Sequence, residues 1–141
     1  MPGFRIHPKL VEDCHVLGRL GTSHLLLHRN ASVPWFILVP EVEALDLCDL
    51  DPDARRAVCD EADELGRFVK GFFGVPRINV AAIGNVVPQL HVHVVGRAPG
   101  DPCWPRPVWG HLATVAEWGP ARIGELAAGL AARRRFVQDV L

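Results

Sequence analysis

The sequence predicts an α+β fold built on an antiparallel sheet. Three observations carry the prediction: strand-like runs come in pairs joined by short turn segments, one long segment bears a helical apolar stripe, and an Ala/Leu-rich stretch closes the chain. Thirteen glycines and twelve prolines punctuate these elements, with no repeat, low-complexity stretch or linker between them. The length of 141 residues is close to the commonest domain size, so residues 1–141 are expected to form one domain.

Residues 23–28 (Ser23 to His28) read as a strand and Arg29 to Ser32 as a turn. Pro34 to Val39 reads as a second strand, rich in aromatic and β-branched types and ended by Pro40. Asp51-Pro52-Asp53 opens a helix: a capping oxygen, a proline in the first turn, then an acid near the positive helix end. Val58, Ala62, Leu65, Val69 and Phe72 then form one amphipathic stripe, and Gly71 and Gly74 suit its end. Arg77 to Ile83 reads as a third strand, Gly84 to Pro88 as a connection and Leu90 to Val95 as a fourth strand. The Pro- and Trp-rich segment 99–110 reads as irregular, and residues 120–139 as a closing helix with Arg133-Arg134-Arg135 near its negative end.

Fifteen basic and sixteen acidic residues give a formal net charge of −1, which excludes a generic polyanion binder, so no nucleic-acid partner is expected. No apolar run approaches the roughly 18 residues that span a bilayer. The N-terminus lacks the apolar core of a secretory signal, and Cys14, Cys48, Cys59 and Cys103 form no CxxC pair. A reduced, cytoplasmic chain without a membrane partner is the expectation.

The chemistry is concentrated in Gly84 to Arg97. Strand alternation projects Gln89, His91 and His93 from one face and Leu90, Val92 and Val94 from the other. The apolar set would pack on the core, and the polar set would line a concave or exposed face. Two imidazoles at i, i+2 have two mechanistic readings beside chance placement on a polar face. They can ligate a metal, with His24, His28 or a cysteine completing the set. Alternatively, one neutral imidazole is a nucleophile toward phosphorus, with one ring nitrogen attacking while the other holds a hydrogen bond that fixes the tautomer.

This stretch resembles the histidine triad (HIT) family of nucleotidyl hydrolases and transferases, whose signature is His-x-His-x-His with a flanking Arg. Here it reads Gln89-Leu90-His91-Val92-His93-Val94-Val95, then Arg97. The order of the upstream hairpin, the helix and an Asn-bearing strand agrees over about residues 20–97. The resemblance implies a HIT-like sheet of about five strands, two main helices and a homodimer. It implies that His91 is the nucleophile forming a nucleotidyl-imidazole, that His91 leans on the backbone carbonyl of Gln89, and that His93 contacts phosphate or relays a proton. Asn30 falls where the family binds ribose; Asn85, Asn79 and Arg97 fall where phosphate or leaving group is held. Phe4, Ile6 and the Trp35 region are candidate walls of a base pocket, with core packing as the alternative. Trp104, Trp109 and Arg106 are open to base, dimer or phosphate contacts, or to packing over the sheet edge. The remaining histidines (His7, His15, His24, His28, His111) read as structural or surface residues.

Three departures qualify the resemblance. Gln89 replaces the first histidine and cannot titrate near neutrality. Val86 removes a hydroxyl often found before the triad, and Glu41-Val42-Glu43 occupies the place of a further histidine. Leaving-group protonation is then expected to fall to His93 or water, or the leaving group needs no proton. The implied reaction is hydrolysis or transfer at the α-phosphate of a purine nucleotide derivative: a dinucleoside polyphosphate, a nucleoside phosphoramidate or an acyl-AMP. It requires no cofactor, magnesium entering only with substrate phosphates. The alternatives are a nucleotide-binding protein with little catalysis and a metal-dependent hydrolase with His91 and His93 as ligands.

Overall fold

The computed structural model describes residues 3–133 and 135–139. A short helix α1 (Pro8–Asp13) leads into β1 (Cys14–Leu20) and β2 (Ser23–His28), then β3 (Trp35–Pro40). A 3-10 turn (Leu47–Asp49) precedes the long helix α2 (Pro52–Phe73), followed by β4 (Arg77–Ala81) and β5 (Val92–Arg97). Helix α3 (Pro120–Ala131) and the short strand β6 (Phe136–Gln138) close the chain. The six strands form one antiparallel sheet in the order β4-β5-β3-β2-β1-β6.

Both faces of the central strands are buried, which explains their near-continuous apolar sequence. Leu25, Leu27, Phe36, Leu38, Val92 and Val94 pack on one face against Val58, Leu65, Phe68 and Val69 of α2 and Leu126 and Leu130 of α3. Leu26, Trp35, Ile37 and Val95 pack on the other face beneath Leu10, Cys103 and Val108. Of the concave or exposed face expected for the histidines, the concave one is found, since both line a pocket. The N-terminal segment and the loop after β5 roof it, leaving His91 and His93 only 5% and 6% exposed.

Helix α2 begins and ends as its sequence predicts. The Asp51 carboxylate accepts from the Ala54 N–H at 2.9 Å, Pro52 occupies the first turn, and Gly74 ends the helix at φ 65°. The expected closing helix is shorter than predicted, ending at Ala131. Beyond it β6 pairs with β1, which buries Phe136 in the helix-facing core. Gly18 permits that approach: a Cβ there would lie 2.1 Å from the Val137 carbonyl oxygen. Arg133 follows directly on the helix end, its N–H donating to the Leu130 carbonyl at 2.8 Å. Arg135 binds Glu64 at 2.6 Å, the Arg133 guanidinium lies over the Phe68 ring, and Arg134 lies outside the described residues. No helix among the described residues is long and apolar enough to cross a membrane.

Candidate active site

β5 and the segment before it carry two imidazoles onto the roofed face. Their rings meet edge to face with centroids 4.9 Å apart. His91 Nδ1 lies 2.6 Å from the Gln89 carbonyl oxygen. A carbonyl only accepts, so Nδ1 carries the proton and, in the neutral ring, the lone pair sits on Nε2. His93 is held in the opposite tautomer. The Trp35 indole N–H donates to His93 Nδ1 at 2.9 Å, so Nε2 carries the proton. Burial first, then the neighbouring His91 and His28, push the His93 pKa down to about 3. At neutral pH His93 is thus an uncharged hydrogen-bond donor.

Both rings line a pocket of about 280 Å³. α1 contributes Lys9, Leu10 and Asp13; β2 and β3 contribute His28, Trp35 and Ile37; the connection before β5 contributes Ile83, Asn85, Val86 and Val87. Trp109, from the loop after β5, closes the aromatic side, edge-on to Trp35 and His93 at 5.8 and 5.0 Å. His28 stacks on Trp35 at 4.2 Å, and its burial lowers its pKa. A larger cavity of about 580 Å³ lies between β1 and α3, but its lining is mostly apolar and holds neither triad imidazole.

Other sequence candidates lie elsewhere. Gln89 supplies its carbonyl to His91, but its side chain turns to the N-terminal segment: Nε2 donates to the Arg5 carbonyl at 2.9 Å and Oε1 accepts from the His7 N–H at 2.8 Å. Asn30, the expected ribose contact, does not line the pocket. Its Oδ1 accepts from the Ser32 N–H, the Ser32 hydroxyl and the Ala116 N–H, while Nδ2 donates to the Thr114 carbonyl, so it fastens the segment before α3.

Arg97 and Asn79 share the histidine face but form a closed network at its far end. Arg97, 1% exposed, donates to both Asp101 carboxylate oxygens at 2.7 and 3.1 Å and to Asn79 Oδ1 at 3.0 Å. Burial works to raise the Asp101 pKa, but the Arg97 guanidinium and the Ala98 and Cys103 N–H groups together hold the carboxyl below its ordinary value. Of the expected phosphate contacts, Asn85 lines the pocket, whereas Arg97 and Asn79 instead hold the loop that roofs it.

Phe4 and Ile6 pack on the roofed core rather than lining the pocket, and Phe4 stacks on His24 at 5.5 Å. Trp104 and Arg106 also lie outside it. Among the described residues, no three His, Cys, Asp or Glu side chains are grouped to hold a metal ion. Sequence reasoning did not single out Lys9, Leu10 and Asp13, which reach the pocket through the placement of α1 and carry no local motif. His28 stood among the structural histidines, although its place at the end of a strand beside the Trp35 strand was a usable signal.

Comparison with known proteins agrees with this geometry. Residues 9–100 match the HIT domain. A histidine triad protein from Bradyrhizobium japonicum is 34% identical, with 95% of this chain and 98% of that one covered and a TM-score of 0.85. One from Sinorhizobium meliloti 1021 is 33% identical over 94% and 98%, with a TM-score of 0.87. One from Marinobacter aquaeolei VT8 is 35% identical over 92% and 94%, with a TM-score of 0.84. No curated protein sequence matches the chain. With paired imidazoles on an antiparallel sheet, a matching domain over most of the chain and structural agreement over more than nine-tenths of it, this chain belongs to the histidine triad family.

Proposed function

We propose that the protein is a nucleotidyl hydrolase or transferase acting at the α-phosphate of a purine nucleotide derivative, with His91 as nucleophile. The observation that carries this reading is the His91 Nδ1 to Gln89 carbonyl bond, which leaves Nε2 as the lone-pair atom of a ring lining the pocket. Nε2 attacks phosphorus, the bond from phosphorus to the leaving group breaks, and the leaving group departs with the bonding pair. The Gln89 carbonyl faces the positive charge that develops on the ring. The His93 Nε2–H donates to a non-bridging phosphate oxygen. Water then attacks phosphorus, the P–N bond breaks, and the water's proton passes to solvent with release of the nucleoside monophosphate.

The same geometry narrows the leaving group. The Gln89 amide does not titrate and is held by the N-terminal segment, and His93 carries no transferable positive proton at neutral pH. Groups that depart as stable anions, a carboxylate or a polyphosphate, suit this site better than an amine. Acyl-AMP and dinucleoside polyphosphates are therefore favoured over phosphoramidates.

Intact-mass analysis of the acid-quenched enzyme tests the reading. An adduct of one nucleoside monophosphate should appear in the wild type and be absent in His91→Ala, which should keep its fold. Turnover by His91→Ala at the wild-type rate refutes the nucleophile. Saturable nucleotide binding with neither adduct nor turnover establishes the binding-protein alternative, which the non-titrating Gln89 favours. Homodimerisation fits the outer edge of β4, which no other strand among the described residues pairs and where Val80 is exposed. Molecular mass by light scattering tests it.

A further inference from the structure

We infer that Lys9 grips the phosphate of the bound nucleotide and that Gln89 is its positioning residue, holding the helix from which Lys9 projects. This rests on the nucleotide reading above and adds two residues to it. Among the described residues lining the pocket, Lys9 is the one fixed cation. Arg97 is locked on Asp101 and Asn79 at the far end of the face. A site that receives a phosphate without a positive side chain would have only neutral donors to offset its charge, so the lysine has a task there.

The Lys9 ammonium lies 3.2 Å from Asp13 Oδ1, with both side chains more than a third exposed. Such a pair is worth little in water, so Lys9 can exchange the carboxylate for a phosphate oxygen at small expense. Its remaining N–H donors allow it to bridge both.

What places Lys9 is not intrinsic helix stability. α1 has six residues, far below the length at which a helix stands alone. Its anchors are identifiable. The Gln89 amide donates to the Arg5 carbonyl and accepts from the His7 N–H, the paired pattern a neighbouring strand would offer. His7 then caps the helix, its Nδ1 accepting from the Lys9 N–H at 3.1 Å. Pro8 occupies the first turn and Leu10 is buried in the roofed core. One residue thus serves the site twice: the Gln89 backbone carbonyl orients His91, and its side chain seats the α1 wall. An imidazole at this position cannot replace the amide, because its donor and acceptor point to opposite sides of the ring and cannot both face one segment.

Calorimetric binding of AMP and adenosine to the intact protein, with amide hydrogen exchange across residues 5–13, tests both halves. Lys9→Ala should weaken AMP about tenfold or more while leaving adenosine within about twofold, and Lys9→Arg should restore AMP binding. Gln89→His should keep the fold, raise exchange at the His7 amide about tenfold and weaken AMP. Wild-type AMP affinity in Lys9→Ala overturns the role of Lys9 and leaves the nucleophile reading intact. Unchanged His7 exchange in Gln89→His overturns the positioning role. A wild type that binds neither probe overturns the nucleotide reading and the Lys9 role with it, whereas the exchange measurement still decides the clamp.

Discussion

Acid should destabilise the fold through His93, and the size of the effect can be worked through. Its pKa falls from the ordinary 6.5 to about 3 in the folded protein, chiefly because the ring is buried. Below pH 6.5 the unfolded chain binds a proton at this position, and the folded chain does not until about pH 3. Stability must therefore fall as pH drops through this window. The contribution is about 0.2 kcal/mol at pH 7 and about 2 kcal/mol at pH 5, approaching roughly 5 kcal/mol when both states are protonated. Urea unfolding at pH 7 and pH 5 measures it, with His93→Gln as the reference, since a Gln oxygen can still accept from the Trp35 indole. Wild type should lose about 2 kcal/mol more than the variant over this interval. His28 shifts in the same direction but is present in both proteins and cancels. Parallel pH dependence in the two proteins refutes the claim that His93 is held neutral by the fold.

Other perturbations separate the site from its scaffold. Trp35→Phe removes the indole donor that fixes the His93 tautomer, and kcat should fall about tenfold with a smaller change in nucleotide affinity, as steady-state kinetics will report. Arg97→Met leaves the half-buried Asp101 carboxylate without its cation; urea unfolding should show a loss of about 3 kcal/mol, while AMP affinity of the folded fraction stays near wild type, the opposite of what a phosphate ligand would give. Glu61→Ala strips the partner from the Thr22 N–H and from the Thr22 and Ser23 hydroxyls, and urea unfolding should show a loss of about 2–4 kcal/mol. Thiol titration of the native protein should find Cys48 and Cys59 fast and Cys14 and Cys103 slow, with burial pushing the Cys14 thiol up to about 12.

The legible parts of the fold are those whose signals are local. Asp51, Pro52 and Gly74 bound α2 because caps act on neighbouring backbone groups, and the Leu25–Leu27 and Trp35–Val39 runs reveal strands covered on both faces. β6 was hidden because Phe136–Gln138 is a strand only through its pairing with Gly18–Leu20, so the sequence reads as a continued helix. The site divides in the same way. His91 and His93 share a face by strand alternation, and that was readable. Arg97 and Asn79 keep company with them for the same reason, but the partner that removes them from the pocket, Asp101, comes from the turn after the strand. Asn30 stands at the right point in the chain, yet the segment 114–116 that claims its amide is more than eighty residues away. Spacing along a strand predicts which side chains share a face; it does not predict what covers them.

That covering sets the two imidazoles apart. Two adjacent imidazoles in water would be interchangeable, each ring free to hold its proton on either nitrogen. Here an acceptor meets one ring and a donor meets the other, both at Nδ1: the Gln89 carbonyl for His91 and the Trp35 indole for His93. The result is opposite tautomers, with a lone pair on one Nε2 and a proton on the other. The proposed attack on phosphorus needs the first, and the proposed stabilisation of the phosphoryl oxygens needs the second. Neither needs a net charge on His93, and the burial that keeps it uncharged also holds the indole bond dry and therefore strong. The first triad position can consequently lose its imidazole without disturbing this pair, because its contribution to His91 comes from the backbone. The side chain at 89 is then free to hold the wall of the pocket, and under the proposed mechanism the loss of proton donation there would confine the site to leaving groups that depart unaided.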